Sequence, residues 1–529
     1  MLSPLRPART KATPIITAVK QQNRQRVTLL SSPYIEERNL EAATSGIRAA
    51  DQEPRRDARN SAFLDYYRCP ERFAHFTLTG EPSASSGYFQ FGPDAICYGQ
   101  CCQGSLAKHA TDDLYDAEND VGGDNHTLRF PFNPSEVIAN LRRERYRSSL
   151  NGEGAVSPIL RNAYYLVRPL LPVSVRKHLQ RIQLRGWEEI PFPSWPVDLT
   201  VERILEKLLA LLLKPGSTNK IPFIWFWPNG SPSCAIMTHD VETAAGQDFC
   251  SELMDLDDAC GVKSSFQVIP ENRYPVTYSF LEQIRRRGFE INIHDLNHDG
   301  HLFRTRELFL RRADRINRYG REYGASGFRS GALYHNLDWY EALNFSYDMS
   351  VPSVGHLEAQ RGGCCSVMPF FVGNIVELPV TTTQDYSLFH VLNQYSTDLW
   401  KRQVTQITKS HGLASFIVHP DYVMEPRARA TYKSLLAYLA GLRSEGRVWI
   451  ARPGEVNQWW RARSQMKLVY QANKWVIEGP EKDKALVAYA ILEQDCLRYE
   501  LQPADHEVPQ SDKRPALVLP GPERGKPAA

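Results

Sequence analysis

Between Ser233 and about Ser464, short β-rich runs alternate with stretches of helical periodicity, and this alternation limits the possible folds more than any other feature. Eight strands are predicted: Cys234–Asp240, Ser264–Ile269, Glu290–His294, Gly327–Arg329, Ser346–Ser350, Ile375–Val380, Ser415–His419 and Val448–Ala451. Between most of them apolar residues recur at helical spacing, as with Leu281 and Ile284, or Phe309, Ala313, Ile316, Gly320 and Tyr323. Leu435, Leu436, Leu439 and Leu442 form a third such set. Steps of three and four place these side chains on one stripe of a helix. Strand and helix alternating in this way imply an α/β fold, a parallel sheet with helical crossovers. Eight strands suit a (β/α) barrel. The link from Pro352 to Asn374 has no clear helix, so the expectation is a distorted barrel of seven to eight parallel strands.

At 529 residues the chain has room for more than the barrel; about 150 residues per domain would allow three to four units. Residues 1–60 are polar, Arg-rich and aperiodic, and are expected to be a disordered basic tail. Residues 61–232 form an N-terminal accessory region with strand-like pieces at Tyr88–Gly92 and Leu128–Phe132, helical patterns at Pro134–Arg147 and Leu199–Lys214, and a strand at Ile221–Trp227. Asn133 as N-cap before Pro134 is a helix start signal. After the barrel, over 465–502, Met466–Gln471, Lys474–Glu478 and Ala485–Leu501 read as a small antiparallel β unit. Its turns are at Ala472-Asn473 and near Gln494-Asp495. Residues 503–529 are a second polar tail.

Several function classes recede on composition. Sixty-three Lys and Arg against 60 Asp and Glu leave a net charge of +3, without the basic excess of a nucleic-acid binder. The longest apolar run, Leu208–Leu213, is six residues, against the roughly 20 needed to span a bilayer. Met1–Leu30 has six basic and no acidic residues but lacks the apolar core of a signal peptide. A cytoplasmic, reducing location is therefore expected. Ten cysteines, two pairs of them adjacent, are not a disulfide framework. Cys97, Cys101 and Cys102 with His109 lack the second Cys pair of a zinc ribbon and read as structural thiols.

The polar residues of the barrel region fall where an enzyme of this class needs them. Thr238-His239-Asp240-Val241-Glu242 ends the first strand, and His294-Asp295-Leu296-Asn297-His298 ends the third. Arg329 ends the fourth, Asp348 lies in the fifth and His419 ends the seventh. Chemistry in such barrels collects at the C-terminal strand ends. With 14 histidines in 529 positions, a His-x-x-x-His pair arises by chance roughly 0.4 times, so the conjunction carries the inference. Two imidazoles four apart share one face if the turn after the strand is helical. A carboxylate then completes a three-ligand site with an open position. Such an ion brings the pKa of a water from about 15.7 towards 7; a second carboxylate serves as base and a histidine opposite as acid.

Thr-His-Asp-Val-Glu, His-Asp-Leu-Asn-His, Phe-Arg-Ser-Gly, Tyr-Asp-Met-Ser and Ile-Val-His-Pro occur in an order and spacing that resembles the polysaccharide deacetylases, the NodB-homology or family 4 carbohydrate esterases. The resemblance covers about Ser233–Ser464. It implies a hydrolase that uses a divalent metal, zinc being expected, to remove N-acetyl groups from an acetylated saccharide. The lack of an export signal points to a saccharide precursor inside the cell. By this resemblance Asp240 matches the catalytic base, His294 and His298 the metal ligands, and Arg329 the residue that holds the base. His419 matches the general acid and Asp348 the partner of that acid. Asp348 also fits a structural role. Val241 stands where the family often has a second, metal-binding aspartate. Glu242, two residues beyond Asp240 and on the same side of a strand, is the replacement ligand, with Asp240 or His239 as the other candidates. Ser330-Gly331 replaces a common proline-aromatic pair, and Asp295 a common Ser/Thr. Two other functions remain open: a related hydrolase of another C–N amide or a sugar O-acetyl ester, and a silent barrel that binds a saccharide or a partner.

Polar groups outside this set have plainer readings. Asp299 and His301 are expected as caps or solvated groups, Arg285-Arg286-Arg287 as the charged C-terminus of a helix, and Trp459-Trp460 as packing.

Overall fold

The computed structural model describes residues 59–123, 127–147, 184, 186–214, 219–502 and 518–519. The first expected tail, all but its last two residues, and most of the second lie outside these residues.

The N-terminal region opens with helix α1 (Ser61–Tyr67) and continues through strands β1 (Phe76–Leu78), β2 (Gly87–Gln90), β3 (Ile96–Gly99) and β4 (Leu128–Phe130). Helix α2 (Pro134–Arg142) starts as its sequence directs: the Asn133 side-chain oxygen accepts hydrogen bonds from the Ser135 and Glu136 amides at 3.1 and 3.3 Å. It stops before the expected end at Arg147. Helix α3 (Thr200–Leu212) buries Val201, Ile204, Leu205, Leu208 and Leu209 on one stripe. Strand β5 (Ile221–Ile224) follows, and Asn229 and Gly230, both at positive φ, turn the chain into the barrel.

The barrel strands are β6 (Cys234–Val241), β7 (Ser265–Val268), β8 (Glu290–His294), β9 (Gly327–Arg329), β10 (Tyr347–Asp348), β11 (Phe370–Val372), β12 (Ile375–Glu377), β13 (Leu413–Ile417) and β14 (Trp449–Ala451). They form one curled sheet in the order β11-β12-β10-β9-β8-β7-β6-β13. All its pairs are parallel except β11 on β12. Strand β14 shares an edge of β6 with β7: β14 pairs with Cys234–Ile236 and β7 with Thr238–Val241. The crossovers are α4 (Ala244–Ala259), α5 (Tyr278–Arg286), α6 (Arg306–Glu322), α7 (Asp398–Lys409) and α8 (Pro426–Ser444), and α9 (Pro453–Gln465) follows β14. The ring is distorted between β12 and β13, where no strand intervenes. There Thr381 and Thr382 side-chain hydroxyls donate to the Leu413 and Ser415 carbonyls, each at 2.7 Å. The link from Pro352 to Asn374 has no helix, as expected, and contains β11, too short to leave a periodic signal.

Beyond the barrel, β15 (Lys467–Gln471) and β16 (Lys474–Glu478) form a hairpin, and β17 (Val487–Glu493) and β18 (Cys496–Leu501) a second. Their turn residues Ala472, Asn473, Gln494 and Asp495 all have positive φ, the backbone that two-residue hairpin turns require. These strands do not form a unit of their own. Strand β17 pairs with β5 from the N-terminal region, and one hydrophobic core joins Tyr67, Phe223, Phe226 and Tyr499. Trp459 and Trp460 are buried, with the Trp459 indole donating to the Phe226 carbonyl, which bears out the packing role. Among the described residues no helix is long and apolar enough to cross a membrane. All ten cysteines are free thiols.

This shared core makes a prediction. Tyr499 is 1% exposed and its hydroxyl lies 3.2 Å from that of Tyr67. Tyr499→Phe should cost about 1 kcal/mol and Tyr499→Ala about 3–5 kcal/mol, read as a shift of the denaturant midpoint followed by barrel tryptophan fluorescence. If Tyr499→Ala left that midpoint unchanged, the C-terminal strands would be independent of the barrel.

Candidate metal centre and catalytic groups

Side chains alternate along β6, so Asp240 and Glu242 face one way and His239 the other. His239 is buried towards the helices, with Nδ1 2.9 Å from the Val418 carbonyl oxygen and Nε2 3.0 Å from Asp257. Its ring nitrogens are spent there, which removes it from the ligand candidates. Strand β8 ends at His294, and the next four residues do not form the helical turn that the spacing allows. Asp295 and His298 both have left-handed backbones, with φ of 56° and 53°. Arg273 pins the loop by donating to the His298 and Asn297 carbonyls at 2.6 and 3.3 Å. The two imidazoles nonetheless meet, with ring centroids 4.8 Å apart.

Glu242 completes the cluster. Its Oε1 lies 2.9 Å from His298 Nε2 and 3.8 Å from His294 Nε2. Among the described residues, Glu242, His294 and His298 form the group of His, Cys, Asp or Glu side chains whose ligand atoms come within 4.8 Å of one another. Both Nε2 atoms are buried and make no aligned hydrogen bond. His294 Nδ1 sits 3.2 Å from the Arg329 carbonyl oxygen. That contact favours the tautomer with the proton on Nδ1 and a lone pair at Nε2. Two imidazole nitrogens and one carboxylate oxygen are the donor set of a zinc-type site with positions left open. The residues fit such an ion.

Beside the cluster, Asp240 Oδ1 accepts a 2.7 Å hydrogen bond from Arg329 Nη1. Arg329 is fully buried and also donates to Thr238 Oγ1 and the Met349 carbonyl, at 2.7 and 2.9 Å. Burial alone would raise the Asp240 pKa, but Arg329, His294 and His419 together hold it below its ordinary value. Glu242 behaves similarly: burial opposes its charge, and His298, His294 and His419 more than offset this. Both carboxylates are therefore ionised at neutral pH.

His419 follows β13, the strand paired with β6, and its Nε2 lies 3.6 Å from Glu242 Oε1. Its Nδ1 pairs with Asp385 Oδ1 at 2.6 Å, and its backbone N–H donates to Asp385 Oδ2 at 2.7 Å. Burial disfavours the imidazolium, yet Asp385 and Glu242 raise the His419 pKa well above its ordinary value. The partner of His419 is thus Asp385 and not Asp348. Asp348 lies within the sheet opposite Glu377 and accepts hydrogen bonds from Tyr340 Oη, Ser350 N and Ser350 Oγ, at 2.8 to 3.0 Å. Burial, and then the adjacent Asp348 carboxyl, push the Glu377 carboxyl well above its ordinary value. Strand β10 ends at Asp348, so its side chain stays in the sheet. The loop after β12 runs on through Thr381–Gln384 and delivers Asp385 to the mouth. Its only sequence signal is a carboxylate in a polar run beyond a barrel strand. Glu358 was also not anticipated: it is buried near His419 and receives a hydrogen bond from Gln384, and burial pushes its carboxyl up to about 7.

The remaining candidates take supporting places. Asp299 forms a bidentate pair with Arg312 at 2.7 and 2.6 Å and accepts the His301 amide, a structural brace for the loop. Arg286 and Arg287 pair with Glu282, Asp255 and Asp258 around the end of α5. Tyr422 packs 4.8 Å from the His419 ring and contacts Tyr386 and His390, giving the mouth an aromatic wall.

Among solved structures the chain is similar to a family 4 carbohydrate esterase from Streptomyces lividans in complex with acetate, at 13% identity over 41% of this chain and 91% of that one, with a TM-score of 0.26. It is also similar to the family 4 esterase domain of a multidomain xylanase from the hindgut metagenome of Trinervitermes trinervoides, at 14% identity, 44% and 92% coverage and a TM-score of 0.29. PuuE allantoinase is similar at 14% identity, 51% and 98% coverage and a TM-score of 0.34. Structures described as polysaccharide deacetylases and as family 4 esterases recur among these neighbours. No family model and no curated protein matches the chain.

Gly331 offers a test of the cluster geometry. A Cβ there would lie 2.6 Å from Asp295 Oδ2 and 3.0 Å from His298 Cδ2. Gly331→Ala should displace the His298 loop and weaken divalent-metal binding by about 10–100-fold, measured by competition with a chromogenic chelator, while circular dichroism stays native. Unaltered affinity would mean that His298 can shift without penalty.

Proposed function

We propose that the protein is a metal-dependent deacetylase that removes the N-acetyl group from an acetylated saccharide or saccharide precursor. One observation carries this reading. Glu242, His294 and His298 converge with an Arg-held carboxylate, Asp240, on one side and a carboxylate-held imidazole, His419, on the other. This arrangement supplies ligands, base and acid within one mouth. Glu242, His294 and His298 would hold a divalent ion, zinc by donor type. Such an ion supplies Lewis acidity, which makes a water more acidic and polarises a carbonyl.

The chain's own groups account for the proton movements. Asp240, ionised and fixed by Arg329, accepts the proton of the attacking water as the new C–O bond forms to the acetyl carbon. His419, protonated at neutral pH because Asp385 and Glu242 outweigh its burial, gives a proton to the departing nitrogen as the C–N bond breaks. Acetate and a free sugar amine result. An amine leaving group needs this proton far more than an alcohol does, so the Asp385–His419 pair favours the amide over the ester substrate. The aromatic wall of Tyr422 and Tyr386 supplies flat faces for a sugar ring.

Acetate release from N-acetylated and O-acetylated sugars, run beside metal analysis of the purified protein, tests the proposal. Wild type should hold one divalent ion per chain and prefer the N-acetyl substrate. The His294→Ala, His298→Ala double variant should lose both the ion and the activity. His419→Ala should lower kcat by about 10²–10⁴. A metal-free wild type indistinguishable from the double variant would end the hydrolase reading.

The pH profile tests the acid separately. The acid must be protonated, so activity should persist above the ordinary histidine pKa of about 6.5 and fall as pH rises through the raised value of His419. Asp385→Asn removes a negative charge that favours the imidazolium, so the alkaline limb should move to lower pH while the acid limb, set by Asp240, stays in place. An alkaline limb unmoved in this variant would assign it to another group.

A further inference from the structure

The loop between Pro352 and Cys364 carries a carboxylate that the proposed proton movements do not use. The Gly355 amide donates to the Gly362 carbonyl at 2.6 Å and the Glu358 amide to the Gly355 carbonyl at 3.1 Å, so the loop folds back on itself. Two neighbours fix it from either side. In the turn after β9, the His335 amide donates to Gln360 Oε1 at 3.3 Å, and His335 Nε2 lies 2.9 Å from Gln360 Nε2. In the segment after β12, Ser387 Oγ donates to the Leu357 carbonyl at 3.4 Å. Both anchors lie beyond the C-terminal ends of barrel strands, the side on which Glu242, His298 and His419 also stand.

Glu358 is the acidic residue of this loop, and it is 9% exposed. Gln384 Nε2 donates to its Oε2, and Gln384 directly precedes Asp385, the partner of His419. The other oxygen, Oε1, takes no hydrogen bond or ion pair among the described residues. It has thus left bulk water without gaining a protein donor, which is costly for a carboxylate. Asp240 is tied to Arg329 and Asp385 to His419, whereas the one side chain bonded to Glu358 is a neutral amide. Burial pushes the Glu358 carboxyl up to about 7, against the Gln384 hydrogen bond and the His419 charge. Both of its protonation forms are therefore present at neutral pH. A hydroxyl pairs with either form, since it both donates and accepts. An ammonium group pairs only with the ionised form, and an anionic substituent is repelled by it.

We propose that Glu358 is a specificity residue of the deacetylase site, its Oε1 hydrogen-bonded to a hydroxyl of the bound saccharide, so that the site selects a neutral, hydroxyl-bearing sugar. The inference rests on the deacetylase reading and adds to it the chemical class of the substrate. Glu358 contacts a part of the sugar that does not react, so its contribution is to binding and orientation.

Acetate release from methyl N-acetylglucosaminide and from its singly deoxygenated analogues, beside isothermal titration of the same sugars, decides it. For wild type, loss of one particular hydroxyl should lower kcat/KM roughly 10–100-fold, mainly through KM. In Glu358→Ala that penalty should disappear, because the parent sugar is then bound as poorly as the deoxygenated one. Glu358→Gln keeps an oxygen acceptor and should restore part of the difference. Equal penalties in wild type and Glu358→Ala for every analogue overturn this proposal, while acetate release by wild type leaves the deacetylase reading in place. A wild type that releases no acetate ends the deacetylase reading, and the titration then decides the proposal by the same comparison of affinities. No detectable binding of the parent sugar overturns it. Should Glu358→Ala lose its native circular dichroism, the near-isosteric Glu358→Gln decides, and an undiminished penalty there overturns the proposal.

Discussion

The ion pair between Arg329 and Asp240 holds the barrel and its mouth in one arrangement. Arg329 extends from β9 across the sheet interior and donates to Asp240 and Thr238 on β6 and to the Met349 carbonyl just past β10. Its backbone carbonyl accepts the Asp295 amide and lies against His294 Nδ1, so the same residue orients the loop that runs from His294 to His298. A buried pair of this kind gains little net stability, because desolvation offsets the attraction, but losing one partner strands a charge and costs about 3–5 kcal/mol. Its value here is positional. It keeps Asp240 ionised and aimed, and it ties three strands to one geometry.

Around that pair the mouth separates its charges. Asp240 and Glu242 come from β6 and its end, flanked by His294 and His298 after β8 and by His419 with Asp385 after β13. The distortion of the barrel contributes to this layout. No strand closes the gap between β12 and β13: the chain after β12 holds to its neighbours through isolated backbone hydrogen bonds, Val380 to Val351 and Thr382 to Ser415, and then carries Asp385 up to His419. A regular strand there would have kept that carboxylate in the sheet, as β10 keeps Asp348.

Much of the barrel was legible in the chain itself. All eight anticipated strands are present, and His294, Arg329 and His419 stand at or just beyond strand ends as expected. The period-two rule places Glu242 beside Asp240, while His239, a ligand candidate by sequence, is set apart by the structure, where its ring nitrogens lie against the Val418 carbonyl and Asp257. Less legible were the contacts that depend on loops and on distant segments. Asp385 heads a helical turn too short to show a period, Glu358 comes from an irregular stretch, and the pairing of β17 with β5 joins residues more than 250 positions apart. Local patterning carries no record of such partners.

The sequence by itself determined which segments become strands and helices, since apolar period is a local property, and it determined which side chains could bind a metal or move a proton. The tertiary structure decided which of those meet. Left-handed residues at Asp295 and His298, not a helical turn, bring the two imidazoles to Glu242. The open seam of the barrel chooses Asp385 over Asp348, and the loop after Pro352 sets Glu358 against Gln384. Each of these outcomes depends on how the chain closes on itself, and the physical reason is the same in every case. Backbone and charge must find partners in space, and the nearest partner in space is seldom the nearest in sequence.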